Sequence, residues 1–187
     1  MVFQFILIKM KKEDKKQQGF SLIEMLVVIF IVVLISATLI VNWRKNEKQY
    51  LLQRAAQNIA QDIRKVQDMA LNGTKYENQI PYSYGIFFDK NKKKSYQLFG
   101  DLNNNNTYQT SDMEIGAEVS IESGIEIDSL SSGAQNLNIA FPIPDGFTKI
   151  NPSSTIARIV IKKTGTTCPS LNCKTINIRG MGQISVD

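Results

Sequence analysis

The feature that most constrains this chain is a 22-residue apolar run, Phe20–Val41, whose fifth residue is Glu24. As a helix the run would measure roughly 33 Å at about 1.5 Å per residue, enough to cross a bilayer. A carboxylate inside such a segment costs several kcal/mol unless a partner compensates it. The run also starts abruptly, directly after Gly19. Any fold assigned to the chain must account for both the acid and the sharp start.

The charge pattern around the run gives a topology. Residues 1–19 carry five lysines and two acids, leaving 17 basic and 15 acidic residues in the rest of the chain. Most of the net charge of +5 therefore sits before the run, so the basic balance is no nucleic-acid signal. Lysines on that side predict a cytoplasmic N-terminus, although Arg44, Lys45 and Lys48 also flank the far side, where Trp43 suits an interfacial aromatic. The first eight residues, MVFQFILI, are too short to span, and Met10 is an alternative start that would leave a compact basic leader. A cleaved secretory signal is disfavoured, because its apolar core is shorter and ends in a small-residue site that is absent here.

The stretch GFSLIEMLVVIFIVVLI, preceded by the lysine-rich leader, resembles the class III signal of type IV pilins and type II secretion pseudopilins. The resemblance implies cleavage between Gly19 and Phe20 by a prepilin peptidase, and N-methylation of Phe20 by the same enzyme. It also implies retention of the helix, first as an anchor in inner-membrane lipid and then as a filament core. Glu24 would pair with the new Phe20 amine of a neighbouring subunit, which neutralises a costly charge and sets the assembly register. Glu24 lies four residues after Phe20, a spacing that shares a helix face. SLIE also matches a capping box, with Ser21 as N-cap and Glu24 reaching back, and the two roles are compatible. The sequence departs from many major pilins in having Val41 where they have proline.

Beyond the run, Leu52, Ala56, Ile59, Ile63, Val66 and Ala70 recur at steps of four and three. This is an amphipathic stripe expected to pack on the chain's own sheet, and Asn72–Gly73 reads as the helix stop. One helix from Phe20 to about Leu71 would be roughly 78 Å long. After Gly73 the pattern turns to strands, at 82–89, 94–100, 114–121, 124–130, 137–141, 155–163, 175–180 and 182–187. KNKK and GMG read as hairpin turns. No helical pattern alternates with these strands, so one mainly antiparallel sheet wrapping the helix is expected. The expected class is α+β and pilin-like: a long N-terminal helix, transmembrane in its first half, packed against a mainly antiparallel sheet. The segments are a leader (1–19), an assembly helix (20–41), its amphipathic continuation (42–72) and an extracytoplasmic β domain (73–187). YGIFFD, LFGDLNNNNTYQTSDMEI and KTINIRGMGQISV resemble the H-type minor pseudopilins of the general secretion pathway and their minor pilin relatives.

Three further sites are candidates. In DLNNNNTYQTSD, Asp101, Asn103, Asn105 and Asp112 stand at loop positions 1, 3, 5 and 12, the spacing of a calcium loop, with Asn106 at the sharp turn. The competing reading is a polar loop whose Asn and Asp serve turn chemistry. Cys168 and Cys173 enclose four residues, and outside the cytoplasm they are expected to form a disulfide. Free thiols or a metal pair are the alternatives. Tyr82, Tyr84 and Tyr96 near Lys92–Lys94 would suit nucleic-acid stacking, or simply strand aromatics beside a solvated turn.

The chain has no histidine, which excludes Ser-His-Asp and Cys-His catalysis, and it has no P-loop. It reads as a non-enzymatic structural subunit requiring no cofactor, calcium apart. Its expected partners are the prepilin peptidase, other pilin or pseudopilin subunits and an assembly platform; no nucleic acid is expected. The alternative is a minor pilin for DNA uptake or adhesion on the same scaffold.

Overall fold

The structure is a computed structural model that describes residues 19–152 and 155–187, and the side chains among them except those of residues 39–48 and 132. Residues 1–18, Met10 and the expected leader among them, and the side chains of Trp43, Arg44, Lys45 and Lys48 lie outside the described set. The chain divides into two compact units, Met1–Trp43 and Arg44–Asp187.

One continuous α-helix, α1, runs from Leu22 to Leu71. It begins two residues later than the sequence pattern suggests. Ser21 is the N-cap, its carbonyl accepting from the N–H groups of Glu24 and Met25. Phe20 therefore precedes the helix, and the shared-face argument for Phe20 and Glu24 does not hold within one chain. The side-chain half of the capping box does not form among the described residues; only its backbone half does. Among the described residues no helix is long and apolar enough to cross a membrane. Leu22–Thr38 is 17 residues, short of the roughly 20 a span requires, and the side chains of 39–41 lie outside the described set. α1 stops as expected. Gly73 takes a left-handed φ of 54°, its N–H bonds to Ala70 and that of Thr74 to Met69, the paired bonds of a Schellman cap.

Among its described residues the second unit contains ten strands: β1 (Ser83–Asp89), β2 (Ser95–Asp101), β3 (Met113–Glu114), β4 (Val119–Ser120), β5 (Ile125–Leu130), β6 (Asn136–Pro142), β7 (Lys149–Asn151), β8 (Ile156–Lys163), β9 (Cys173–Arg179) and β10 (Ile184–Val186). Every pairing between strands is antiparallel. Instead of the one sheet expected, two form. The first has the order β3-β2-β1-β6-β7, with β4 also on β2; the second is β10-β9-β8-β5. The expected strand 114–121 is broken into β3 and β4 because Gly116 sits between them at φ 73°. β7 was not anticipated: three residues with one buried apolar side chain, Ile150, leave too little alternation to read.

Both sheets turn one face to a common core. Alternate residues Tyr84, Ile86 and Phe88 of β1, and Leu137, Ile139 and Phe141 of β6, are buried with Ile125 and Ile127 of β5 and Ile159 and Ile161 of β8. The stripe from Leu52 to Ala70 belongs to that core, every member at 1% exposure or less. Period-2 strands and a period-3.6 helix thus bury their apolar faces against each other. Polar bonds fix the helix edge: Tyr96 donates its hydroxyl to Asp62 (2.7 Å), and Asn58 donates to Glu122. Burial and the Asp62 carboxylate raise the Tyr96 pKa above its usual value.

Candidate processing site and polar loop

The N-terminal segment presents its backbone openly. Gly19 and Phe20 are outside regular structure and exposed, and nothing lies within 4 Å of where a Gly19 side chain would stand. A peptide bond between two such residues can be drawn into an extended conformation without unwinding a helix. The cap residue Ser21 follows, and Glu24 occupies the third helical position. There its charge faces the unsatisfied N–H groups of the first turn and is favoured by the helix dipole. The large apolar side chains from Leu22 to Ile35 are all exposed, Leu26 at 61% for example. This helix is apolar all round and covered by nothing in the described chain, the signature of an element completed by another apolar environment.

The prokaryotic N-terminal methylation motif matches at residues 14–40, spanning Gly19, Phe20 and Glu24. The chain carries the N-terminal methylation motif of prepilin-type proteins. The match covers residues 14–18, the exposed Gly19–Phe20 bond and the apolar part of α1. No curated protein matches the chain. Among solved structures, the minor pseudopilin EpsH from the type 2 secretion system of Vibrio cholerae aligns over 73% of this chain and 95% of its own. That alignment has 11% identity and a TM-score of 0.48.

The polar loop between β2 and β3 closes on itself. Asp101 is fully buried, and its two oxygens accept four bonds: the N–H groups of Asn103 (3.0 Å), Asn104 (2.9 Å) and Asn106 (2.7 Å), and the Ser83 hydroxyl (3.3 Å). Asn103 and Asn105 repeat the pattern on the N–H groups two residues on, at 3.1 and 2.8 Å. Asp112 accepts from Leu102 and Gln109. Asn106 adopts φ 58° at the turn, and its buried side-chain oxygen has no hydrogen-bond partner among the described residues. Four acceptor directions exhaust a carboxylate. A calcium ion would therefore have to displace the Ser83 hydroxyl or a backbone N–H from Asp101. Among the described residues no cluster of three His, Cys, Asp or Glu side chains could hold a metal.

The loop also does something its composition hides. It folds over the outer face of the first sheet, the N–H of Tyr108 bonding to Asn138 at 2.9 Å. Tyr108 then stacks on Phe87, ring centroids 5.0 Å apart, and tilts against Phe99 at 5.6 Å. Phe99 lies across Gly85, where an added Cβ would meet its ring at 2.6 Å, so only glycine fits beneath it. The one aromatic in an otherwise polar loop was the available signal for this lid.

The remaining candidates separate cleanly. Cys168 and Cys173 form a disulfide with a Cα separation of 5.9 Å. Leu171 projects from that loop, 85% exposed. Tyr84 and Tyr96 are core residues hydrogen-bonded to Thr74 and Asp62, so they form no stacking platform with the exposed Tyr82. Lys92 pairs with Glu118 at 3.1 Å.

Proposed function

We propose that this chain is a prepilin-like structural subunit, a minor pseudopilin, cut after Gly19, N-methylated at Phe20 and assembled into a type II secretion pseudopilus or type IV pilus. The observation that carries the proposal is the coincidence of the methylation motif with an exposed Gly19–Phe20 bond and an all-round apolar helix. Before assembly the run 20–41 anchors the protein in the inner membrane, N-terminus in the cytoplasm and the β-bearing unit outside. The Cys168–Cys173 disulfide accords with that oxidising side.

In this mechanism the protein is a substrate, not a catalyst. Cleavage creates an α-amine on Phe20. Because Phe20 lies outside the helix, its amine is free to reach the Glu24 of a neighbouring subunit. A lone carboxylate among apolar helices is costly, whereas a paired one is tolerated, so subunits in register are favoured over subunits out of register. The prepilin peptidase, sister subunits and the assembly platform are the partners this implies.

Intact-mass and N-terminal analysis of membrane-extracted protein tests the proposal. The expected product starts at N-methyl-Phe20; a chain retaining residue 19 in a peptidase-positive host overturns it. Glu24→Ala is expected to leave cleavage in place and to abolish or strongly reduce filament incorporation. Normal incorporation would remove the pairing role.

A further inference from the structure

The chain contains one asparagine followed directly by glycine, Asn72–Gly73, and the pair stands at the C-cap of α1. With no side chain on the glycine, its backbone nitrogen is unscreened and can attack the asparagine amide. Space for that approach is open. Asn72 is exposed, and nothing lies within 4 Å of where a Gly73 side chain would stand. Neither residue has a part in the processing and assembly reading.

The cap occupies both reacting groups. The Gly73 N–H donates to the Ala70 carbonyl at 3.1 Å. The side-chain nitrogen of Asn72 donates to the Asp68 carbonyl at 2.8 Å, alongside the Asn72 backbone N–H at 3.0 Å. The amide is thereby drawn back one turn toward the helix N-terminus, whereas the Gly73 nitrogen lies on the C-terminal side. The Thr74 N–H closes the turn on Met69 at 3.0 Å, and the Thr74 carbonyl accepts the Tyr84 hydroxyl. Ring closure between Asn72 and Gly73 requires the cap to open. A helix end opens far more readily than the whole unit unfolds, because few buried contacts oppose it.

We infer that Asn72 is a site of spontaneous covalent modification, converted to aspartate and isoaspartate when the C-cap of α1 opens. The Gly73 nitrogen gives its proton to water and bonds to the carbonyl carbon of the Asn72 side chain. The carbon–nitrogen bond of that side-chain amide breaks and ammonia leaves, which gives a five-membered imide. Water then adds to either imide carbonyl and opens the ring. One opening yields aspartate; the other yields isoaspartate, whose main chain is longer by one methylene. Nothing is oxidised or reduced. Either product puts a carboxylate at the negative end of the helix dipole, four residues from Asp68. It also removes the donor to the Asp68 carbonyl. The altered cap is weaker than the original, so the end of α1 keeps a covalent record of its own openings.

The test incubates the full chain in detergent micelles at mildly alkaline pH, where the Gly73 nitrogen loses its proton more readily. Peptide-level mass spectrometry follows the mass gain of amide-to-acid exchange at each asparagine. Asn72 is expected to convert ahead of every other asparagine, yet at least about tenfold more slowly than in the same chain in concentrated urea, where no cap exists. Asn72→Gln should abolish the gain, since the longer side chain must close a larger ring. Ile63→Ala, which weakens the core more than two turns earlier, should leave the rate within about twofold, whereas a reaction routed through global unfolding would accelerate roughly a hundredfold. No conversion at Asn72, earlier conversion of another asparagine, equal rates with and without urea, or the large acceleration in Ile63→Ala each overturns the inference.

Discussion

Two stretches of α1 are built from the same kinds of residue and meet opposite fates. Leu26 and Ile29 are each 61% exposed, while Ile59 and Ile63 are at 1% and 0%. Composition does not separate them; pattern does. The earlier stretch is apolar on every side, so no single sheet could cover it. The later one confines its apolar residues to a stripe backed by Gln53, Gln57, Gln61 and Arg64, which leaves one face for the chain's own core. A helix can thus be divided between a partner that the chain contains and one that it does not.

The largest effect expected follows from that division. Ile63→Ala should lower the unfolding free energy of the second unit by about 3 kcal/mol, through lost burial and a residual cavity. Ile29→Ala should leave the same transition unmoved, within about 0.5 kcal/mol, because the side chain it shortens packs on nothing in the described chain. Thermal or denaturant unfolding of the full chain in micelles measures both. Equal losses in the two variants would break the comparison.

A smaller effect is expected at Cys168–Cys173. The bridge closes a short loop, and the chain-entropy relation gives about 2 kcal/mol for one of this size. Replacing both cysteines by serine should lower the stability of the strand-bearing unit by about that amount. It should leave the proposed Gly19–Phe20 processing untouched, as that bond lies in the other unit. Parallel unfolding and mass measurements on one preparation check the two halves of this statement.

The same contrast explains what the sequence discloses. The helix stripe, its glycine stop and most strands are legible because each is a periodic pattern over six or more residues that the packing simply obeys. The break between β3 and β4 is not, since it depends on Gly116 adopting φ 73°, a choice that Glu114–Ile121 does not advertise. The split into two sheets escapes for a related reason: strand alternation specifies a buried face but not which neighbour lies beside it. In the candidate site, Gly19, Phe20 and Glu24 are legible as a spaced motif. The start of α1 after Phe20 is less so, because helix ends are decided by a few local bonds. The polar loop's role as a lid rests on the Tyr108 contacts with Asn138, Phe87 and Phe99, which join positions distant in sequence.

The lid gives the smallest effect. Tyr108 donates to Glu114, and that bond, reinforced by burial, pushes its pKa up to about 12. An unfolded tyrosine ionises near 10. Above that value the unfolded chain releases a proton that the folded chain retains, so the contribution of this tyrosine is complete below pH 10. It is lost as the pH rises through about 12. Lys162, raised by its hydrogen bond to Asp128, contributes with the same sign over its own alkaline range. Tyr108→Phe should therefore flatten the fall in melting temperature between pH 10 and 12 without removing it, since Tyr96 and Lys162 remain. Ile29→Ala should not alter that slope. An unchanged slope in Tyr108→Phe would mean that the Glu114 bond does not hold the lid, and that the polar loop is kept over the sheet by the stacking on Phe87 and Phe99 alone.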